Sequence, residues 1–213
     1  MKTTGGVTDG GIVAGNVYDK YGSRHPIVRR LMHGYAMALG DLVDKAAPRS
    51  IHEIGCGEGY WTIHWHELGL DVRGCDFSGV ALQLARENAA RSGMSPARFR
   101  QRSIYDLDTT EDSADLVVCC EVLEHLDDPE AGLRALQRVV SDHLIVSVPN
   151  EPLWRMMNLA RGKYVSDLGN TPGHLQHWSK AGFVELVSRY FAVIDIRRPI
   201  PWTMLLCRAR QPS

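Results

Sequence analysis

Short apolar runs alternate with longer amphipathic stretches along most of the chain. Runs of strand length occupy residues 51–54, 72–75, 97–102, 115–120 and 144–148. Between them, and ahead of the first, apolar residues recur every three or four positions, as on one face of a helix. The run at 115–120 is apolar at almost every position, which is typical of a parallel strand buried on both faces. The pattern therefore predicts an α/β fold, with parallel strands joined by helices.

The alternation changes after residue 148. Two turn-forming stretches, Pro-Asn and Gly-Asn-Thr-Pro-Gly, flank a short apolar helix within residues 149–178, and we predict that this segment is an inserted lid. A helix capped by Ser179 and two consecutive strands, 193–197 and 202–207, follow. We expect a doubly wound, Rossmann-like, mostly parallel sheet that ends in an antiparallel hairpin.

Composition fits one ordinary globular domain. The chain has 213 residues, of which 44% are hydrophobic and 23% charged, and its formal net charge is -1. Residues 1–15 are rich in glycine and threonine and are predicted to be a flexible tail, which leaves residues 16–213 as the domain. The near-zero charge provides no general attraction to nucleic acid. No apolar stretch approaches the ~20 residues of a membrane span, and no signal-peptide core is present, so we expect a cytoplasmic protein.

A glycine-rich loop joins the first strand of the alternating pattern to the helix after it. Its residues are Glu53-Ile-Gly-Cys-Gly-Glu-Gly59. Without β-carbons, such a backbone turns tightly and approaches a ligand closely. Asp76 ends the next strand, where a carboxylate can accept hydrogen bonds from both hydroxyls of a ribose. The spacing differs from the dinucleotide fingerprint GxGxxG, and the acidic residue that opens the loop suits a ligand with a cationic amino group.

Three ionisable residues, Glu121, Glu124 and His125, directly follow the central strand. Open α/β sheets bind ligands outside the carboxyl ends of their strands, so we expect chemistry here. If the segment is helical, the three side chains share a face and are candidate ligands of a divalent cation such as Mg²⁺. His174 and His177 are further candidates. Without a metal, His125 is the leading general base, and a packing role is the simpler alternative.

The glycine-rich loop and the acidic residue after it resemble motif I of class I S-adenosylmethionine-dependent methyltransferases, and the likeness extends over residues 50–207. The resemblance implies that S-adenosylmethionine is the cofactor. The donor-binding residues that it implies are Glu53, Gly55, Gly57, Gly59, Asp76, Phe77, Ser103 and Ile104. Glu53 is expected to support the amino-acid end, the glycines to line methionine and ribose, and Asp76 to hold the ribose. Phe77 is expected to border the adenine. Ser103 and Ile104 take the place of an acidic adenine contact that is frequent in this family, with Asp106 as an alternative.

The Glu-x-x-Glu-His sequence at residues 121–125 resembles a motif of ubiquinone-biosynthesis O-methyltransferases and of bacterial small-RNA 3'-end 2'-O-methyltransferases. Both groups use these residues with a divalent cation. The resemblance implies O-methylation of a small-molecule acceptor, with the hydroxyl activated either by His125 or by a metal bound to Glu121, Glu124 and His125. Bulky residues either wall the acceptor pocket or belong to the core: Tyr18, Tyr21, Trp154, Met156, Met157, Tyr164 and Trp178.

Three other functions stay open at this point. An RNA 2'-O-methyltransferase would use Arg155, Arg161 and Lys163 as a small anion-binding patch, although the net charge makes nucleic acid the less favoured partner. A small-molecule N-methyltransferase uses the same donor scaffold and needs no activated oxygen. A non-catalytic module would bind the donor without turnover. The glycine spacing disfavours a nicotinamide oxidoreductase.

Overall fold

The computed structural model describes residues 1–5, 8–9, 12–13, 15, 20–160, 162, 164 and 167–210. Its strands are β1 (Thr8–Asp9), β2 (Ile12–Val13), β3 (Ser50–Ile54), β4 (Asp71–Asp76), β5 (Phe99–Gln101), β6 (Ala114–Cys120), β7 (Val140–Pro149), β8 (Phe191–Arg197) and β9 (Trp202–Ala209). Its α-helices are α1 (Pro26–Ala46), α2 (Tyr60–Glu67), α3 (Gly79–Arg91), α4 (Thr109–Asp112), α5 (Pro129–Val139), α6 (Leu153–Ala160) and α7 (Lys180–Ser188).

Seven strands form one mixed sheet in the order β5-β4-β3-β6-β7-β9-β8. The first five are parallel, and β9 runs antiparallel to both β7 and β8. The predicted fold class is therefore confirmed. The strand order reverses between β3 and β6, and in such sheets this switch point opens a crevice at the carboxyl ends of the strands.

Helices cover both faces of the sheet, and alternate residues of each central strand supply the two cores. Leu116 and Val118 of β6 pack into the core beneath α1, α2 and α3. Val117 and Cys119 face the opposite core beneath α5 and α7. This period of two explains why the run at 115–120 is apolar throughout.

Most element boundaries lie within a few residues of those predicted. The strand expected at 97–102 is shorter, because a 3₁₀ turn begun by Pro96 occupies Pro96–Arg98 and leaves only Phe99–Gln101 for β5. β7 begins at Val140, four residues before the predicted strand at 144–148, since α5 ends at Val139. No helix of the described part of the chain combines the length and apolar composition needed to cross a membrane.

Described residues near the start of the chain contact the domain. The backbone N–H of Thr4 donates to Glu58 Oε1 over 3.0 Å. The Ser78 hydroxyl donates to Asp9 Oδ2 over 2.9 Å. β1 and β2 pair with each other and stand apart from the main sheet. The flexibility of residues 1–15 and the lid role of residues 149–178 stay predictions.

Candidate active site

A cavity of about 540 Å³ opens at the carboxyl ends of the central strands. Its lining includes Ile54, Asp76 and Cys120, the last residues of β3, β4 and β6. The volume lies in the range of small-molecule sites, and the location is where open α/β sheets bind ligands. We call the part lined by the glycine-rich loop the donor end, and the part lined by the residues after β6 the acceptor end.

The glycine-rich loop needs its glycines for different reasons. Gly55, Gly57 and Gly59 have φ values of 76°, 53° and 81°, in the left-handed region. A β-carbon on Gly55 would lie 2.3 Å from Val122 Cγ2, and one on Gly59 would lie 2.9 Å from the Phe99 ring. At Gly57 the nearest atom would be 3.8 Å away, so this glycine leaves open space beside the cavity that it lines.

Asp76 is positioned by two backbone amides. Its Oδ2 accepts from Gly57 N over 2.8 Å, and its Oδ1 accepts from Ser78 N over 2.9 Å. Each oxygen keeps lone pairs for a further donor, and the carboxylate lines the cavity. Burial raises the pKa of Asp76, while the two amide hydrogen bonds oppose that rise. The geometry suits recognition of two neighbouring hydroxyls.

Glu53 is a buried acid at the donor end. Its Oε2 accepts from the Thr62 backbone N–H over 2.9 Å and from the Thr62 hydroxyl. Burial raises the pKa of Glu53 to about 8, the hydrogen bonds from Thr62 lower it, and the charge of Asp76 raises it further. At neutral pH the group is therefore mostly protonated, and a cation placed beside it would favour the ionised form.

The predicted adenine side of the donor end is only partly polar. Phe77, Ser103 and Ile104 line the cavity, as does Tyr105, which the sequence analysis missed. Asp106, the predicted alternative, is exposed and lies outside the cavity lining. Ser103 accepts a hydrogen bond from Tyr105 N and thereby caps a 3₁₀ turn.

Glu121 does not lie on a helix, so the premise that residues 121–125 form a helical face is wrong. Its φ is 59°, and only Leu123–His125 form a single 3₁₀ turn. Its Oε1 accepts from Ser147 Oγ over 3.0 Å, and its Oε2 accepts from Trp202 Nε1 over 2.7 Å. Burial raises the pKa of Glu121 to about 7, against the positive charge of Lys20 and the two hydrogen bonds.

Glu124, His125 and His174 converge instead. One ligand atom from each lies within 4.8 Å of the others. Glu124 is 1% exposed, and neither of its carboxylate oxygens has a hydrogen-bond partner among the described residues. His125 Nδ1 donates to the Gly173 carbonyl over 2.8 Å, which leaves the lone pair of Nε2 free. Burial lowers the pKa of His125 and, with the charges of neighbouring histidines, lowers that of His174 to about 3.

The convergent group differs from the predicted metal set. Glu121 falls outside the convergent group because both its oxygens are directed to Ser147 and Trp202, and His174 takes its place. His177 lies outside the group too, since its Nε2 is 2.7 Å from Asn170 Oδ1. One carboxylate and two neutral imidazoles form a donor set that fits a divalent cation.

Aromatic rings wall the cavity. Tyr21 and Tyr60 stack with centroids 3.6 Å apart, and Trp61 Nε1 donates to the Tyr21 hydroxyl over 3.0 Å. Trp154 and Trp202 lie 5.8 Å apart, centroid to centroid. These five rings line the cavity and offer flat apolar surfaces to a ligand.

The bulky residues predicted to wall the acceptor pocket differ in where they lie. Trp154, Met157 and Tyr164 line the cavity. Met156 is exposed, and Trp178 packs against Phe183 with ring centroids 5.8 Å apart. Tyr18 lies outside the described part of the chain, as do Arg161 and Lys163 of the predicted anion-binding patch.

Several residues that line the cavity, or that form hydrogen bonds beside it, were not indicated as functional by the sequence. Tyr35 occupies a buried helical position, and its hydroxyl lies 2.9 Å from Ser147 Oγ. Trp202 was predicted only as a strand residue. Lys20 lines the cavity although it lies among residues without a recognisable pattern. Their roles depend on contacts between distant segments, which periodicity does not report.

Comparison with known proteins finds similarity to methyltransferases. Residues 52–145 match a family model described as a methyltransferase domain. A ubiquinone biosynthesis O-methyltransferase of Alkalilimnicola ehrlichii is 37% identical over 105 residues, which cover 48% of this chain and 42% of that protein. A protein of the same name from Methylococcus capsulatus is 30% identical over 156 residues, covering 66% of this chain and 65% of the relative. The chain thus spans less than two thirds of these relatives.

Solved structures share the fold. Magnesium protoporphyrin IX methyltransferase from Synechocystis PCC 6803, with bound S-adenosylhomocysteine, matches with a TM-score of 0.66 at 18% identity, covering 90% of this chain and 94% of that chain. The PH0226 protein of Pyrococcus horikoshii matches with a TM-score of 0.67 at 16% identity, covering 91% and 97%. At these identities the likeness concerns the fold alone.

Proposed function

We propose that this chain belongs to the class I S-adenosylmethionine-dependent methyltransferase superfamily and transfers a methyl group from S-adenosylmethionine to a hydroxyl oxygen of a small molecule. The observation that supports this most directly is the cavity, which joins a glycine-rich donor end to an acceptor end with two neutral imidazoles and a buried carboxylate that pairs with no described residue. Similarity to ubiquinone-biosynthesis O-methyltransferases supports oxygen as the acceptor atom.

The donor end has the groups that the methyl donor requires. Asp76 accepts hydrogen bonds from the ribose hydroxyls, while Gly57 lets the backbone lie close to the ligand. Glu53 pairs with the donor's cationic amino group, which favours loss of the proton that Glu53 holds at neutral pH. The donor enters as a substrate, and its sulfonium already activates the methyl carbon.

Transfer then requires alignment and removal of one proton. The acceptor oxygen attacks the methyl carbon, the carbon–sulfur bond breaks, and its electron pair stays on sulfur as S-adenosylhomocysteine forms. The walls of the cavity hold the three reacting atoms in line and exclude water. In a metal-free site, His125 Nε2 takes the hydroxyl proton, because its Nδ1 is already committed to Gly173.

The acceptor end also fits a divalent metal ion. Glu124, His125 and His174 would hold it, and the ion would lower the pKa of the acceptor hydroxyl. Two imidazole ligands favour Zn²⁺ or Fe²⁺ over the Mg²⁺ expected from the sequence. With His125 engaged in this way, Glu121, which lines the same cavity, would be the remaining candidate to take the proton.

Binding and turnover test the two parts of the proposal. Calorimetric titration with S-adenosylhomocysteine should show binding to the wild type and to Glu124→Gln, and weaker binding to Asp76→Asn. Equilibrium dialysis with Zn²⁺, Fe²⁺ and Mg²⁺ should show one site in the wild type that Glu124→Gln lacks, with the exposed Glu67→Gln as control.

Methyl transfer from labelled S-adenosylmethionine to catechol, a simple dihydroxy acceptor, measures turnover with and without chelator. A wild type that does not bind S-adenosylhomocysteine would contradict the donor site. Equal metal binding by the wild type and Glu124→Gln would show that Glu124 does not hold a metal ion, and would leave His125 as the base. Product labelled on nitrogen of amine acceptors, with none on hydroxyl compounds, would make the protein an N-methyltransferase.

A further inference from the structure

The acceptor end contains a lysine that forms no ion pair with the residues that the structure describes. Lys20 and Arg102 are the described lining residues with a permanent positive charge. Arg102 pairs with Glu111 and Asp112. Lys20 makes no hydrogen bond or ion pair with any residue that the structure describes, although it is half-buried beside the cavity. Its charge is therefore available to a ligand.

The neighbouring residue holds Lys20 in place. Tyr21 stacks on Tyr60 and accepts a hydrogen bond from Trp61 Nε1. The Lys20 ammonium lies 5.3 Å from the centroid of the Tyr21 ring, a distance at which the ring face attracts a cation. The stacked rings thus form a rigid base, and the ammonium is kept at the wall of the cavity without being neutralised.

Lys20 and the acidic groups of the acceptor end face the same space. Its charge acts on Glu121, Glu124 and His125, and lowers the pKa of each. It forms no ion pair with any of them: the Glu121 oxygens accept from Ser147 and Trp202, and the Glu124 oxygens bind no described residue. The ammonium and the residues proposed to activate the hydroxyl line the same cavity.

We propose that Lys20 determines acceptor specificity by pairing with a carboxylate, so that the acceptor is a hydroxylated aromatic acid. The inference rests on the proposed function. The aromatic walls contact the ring, the groups around Glu124 meet the hydroxyl, and the ammonium meets the acid group. A partly desolvated ammonium–carboxylate pair is stronger than a neutral hydrogen bond, so the charge discriminates between otherwise similar acceptors.

A matched pair of ligands tests this without requiring turnover. The protein saturated with S-adenosylhomocysteine is titrated with 3,4-dihydroxybenzoate and with its uncharged analogue 3,4-dihydroxybenzamide. We expect the wild type to bind the benzoate about tenfold more tightly or better, in line with a charged hydrogen bond. Lys20→Met should abolish the preference, Lys20→Arg should retain part of it, and Arg24→Met, which removes an exposed cation outside the cavity lining, should leave it unchanged.

Equal affinity of the wild type for the two ligands, or binding of neither, would overturn the assignment. A Lys20→Met variant that weakens both ligands alike would give Lys20 a purely structural role and would also overturn it. Methyl transfer to either compound is measured in parallel. Selective binding of the benzoate without methyl transfer would contradict the proposed function but support the role of Lys20. Methyl transfer without selectivity would support the proposed function but contradict the role of Lys20.

Discussion

Glu53 makes donor binding dependent on pH in a predictable direction. In the donor-free protein, burial raises the pKa of Glu53 to about 8, so the carboxyl group is mostly protonated at pH 6.5. The cationic amino group of S-adenosylhomocysteine favours the ionised form, so binding lowers the pKa and releases a proton. Affinity should therefore rise with pH until the free protein is itself ionised.

The magnitude follows from the fraction of ionised Glu53. With a pKa near 8, that fraction is about 3% at pH 6.5 and about half at pH 8, and apparent affinity scales with the competent fraction. The dissociation constant should fall about 15-fold between these pH values. Calorimetry in two buffers of different ionisation enthalpy should also show release of nearly one proton at pH 6.5.

Two variants isolate the effect. Glu53→Gln keeps an acceptor for the Thr62 N–H and hydroxyl, and should bind with little dependence on pH and no proton release. Thr62→Val removes the hydroxyl hydrogen bond that lowers the pKa of Glu53, so the rise in affinity should shift to higher pH. A wild type whose affinity is constant from pH 6.5 to 8, or a Glu53→Gln variant with the same slope, would refute the reasoning.

Three further predictions concern single substitutions. Asp76→Asn should weaken binding of S-adenosylhomocysteine by about 1 kcal/mol or more, as expected for a lost charged hydrogen bond, and unchanged calorimetric affinity would remove Asp76 from the ribose site. Gly55→Ala should lower the free energy of unfolding by ~1–3 kcal/mol in urea denaturation, more than Gly57→Ala, because only the β-carbon at position 55 would meet a side chain at 2.3 Å. Gly34→Ala, in α1 with open space around it, should instead raise the free energy of unfolding by up to ~1 kcal/mol. Equal losses at all three positions would contradict the geometry. Ser147→Ala should cost about 1–3 kcal/mol in the same assay by leaving Glu121 Oε1 without its donor, and an unchanged midpoint would show that the bond contributes nothing.

The donor end was predictable because its determinants are local or periodic. Glu53 and Asp76 lie at the carboxyl ends of neighbouring parallel strands, so strand assignment alone brings them together. The acceptor end depends on contacts between distant segments of the chain, which the periodicity of apolar residues does not indicate. Glu121 bonds to residues 26 and 81 positions away in the chain, and its left-handed backbone removes the helical face that its spacing suggested. His174 joins Glu124 and His125 through a loop whose path the sequence pattern does not specify.

The bond between Trp202 and Glu121 has a consequence for how the molecule assembles. β3, β4 and β6 and their helices come from one continuous stretch of chain, whereas Trp202 lies on a strand that enters the sheet between β7 and β8. Contacts between residues far apart in sequence form slowly, because closing a long loop costs entropy first. A nascent chain should therefore acquire the means to hold a nucleoside before it can select the molecule to be modified.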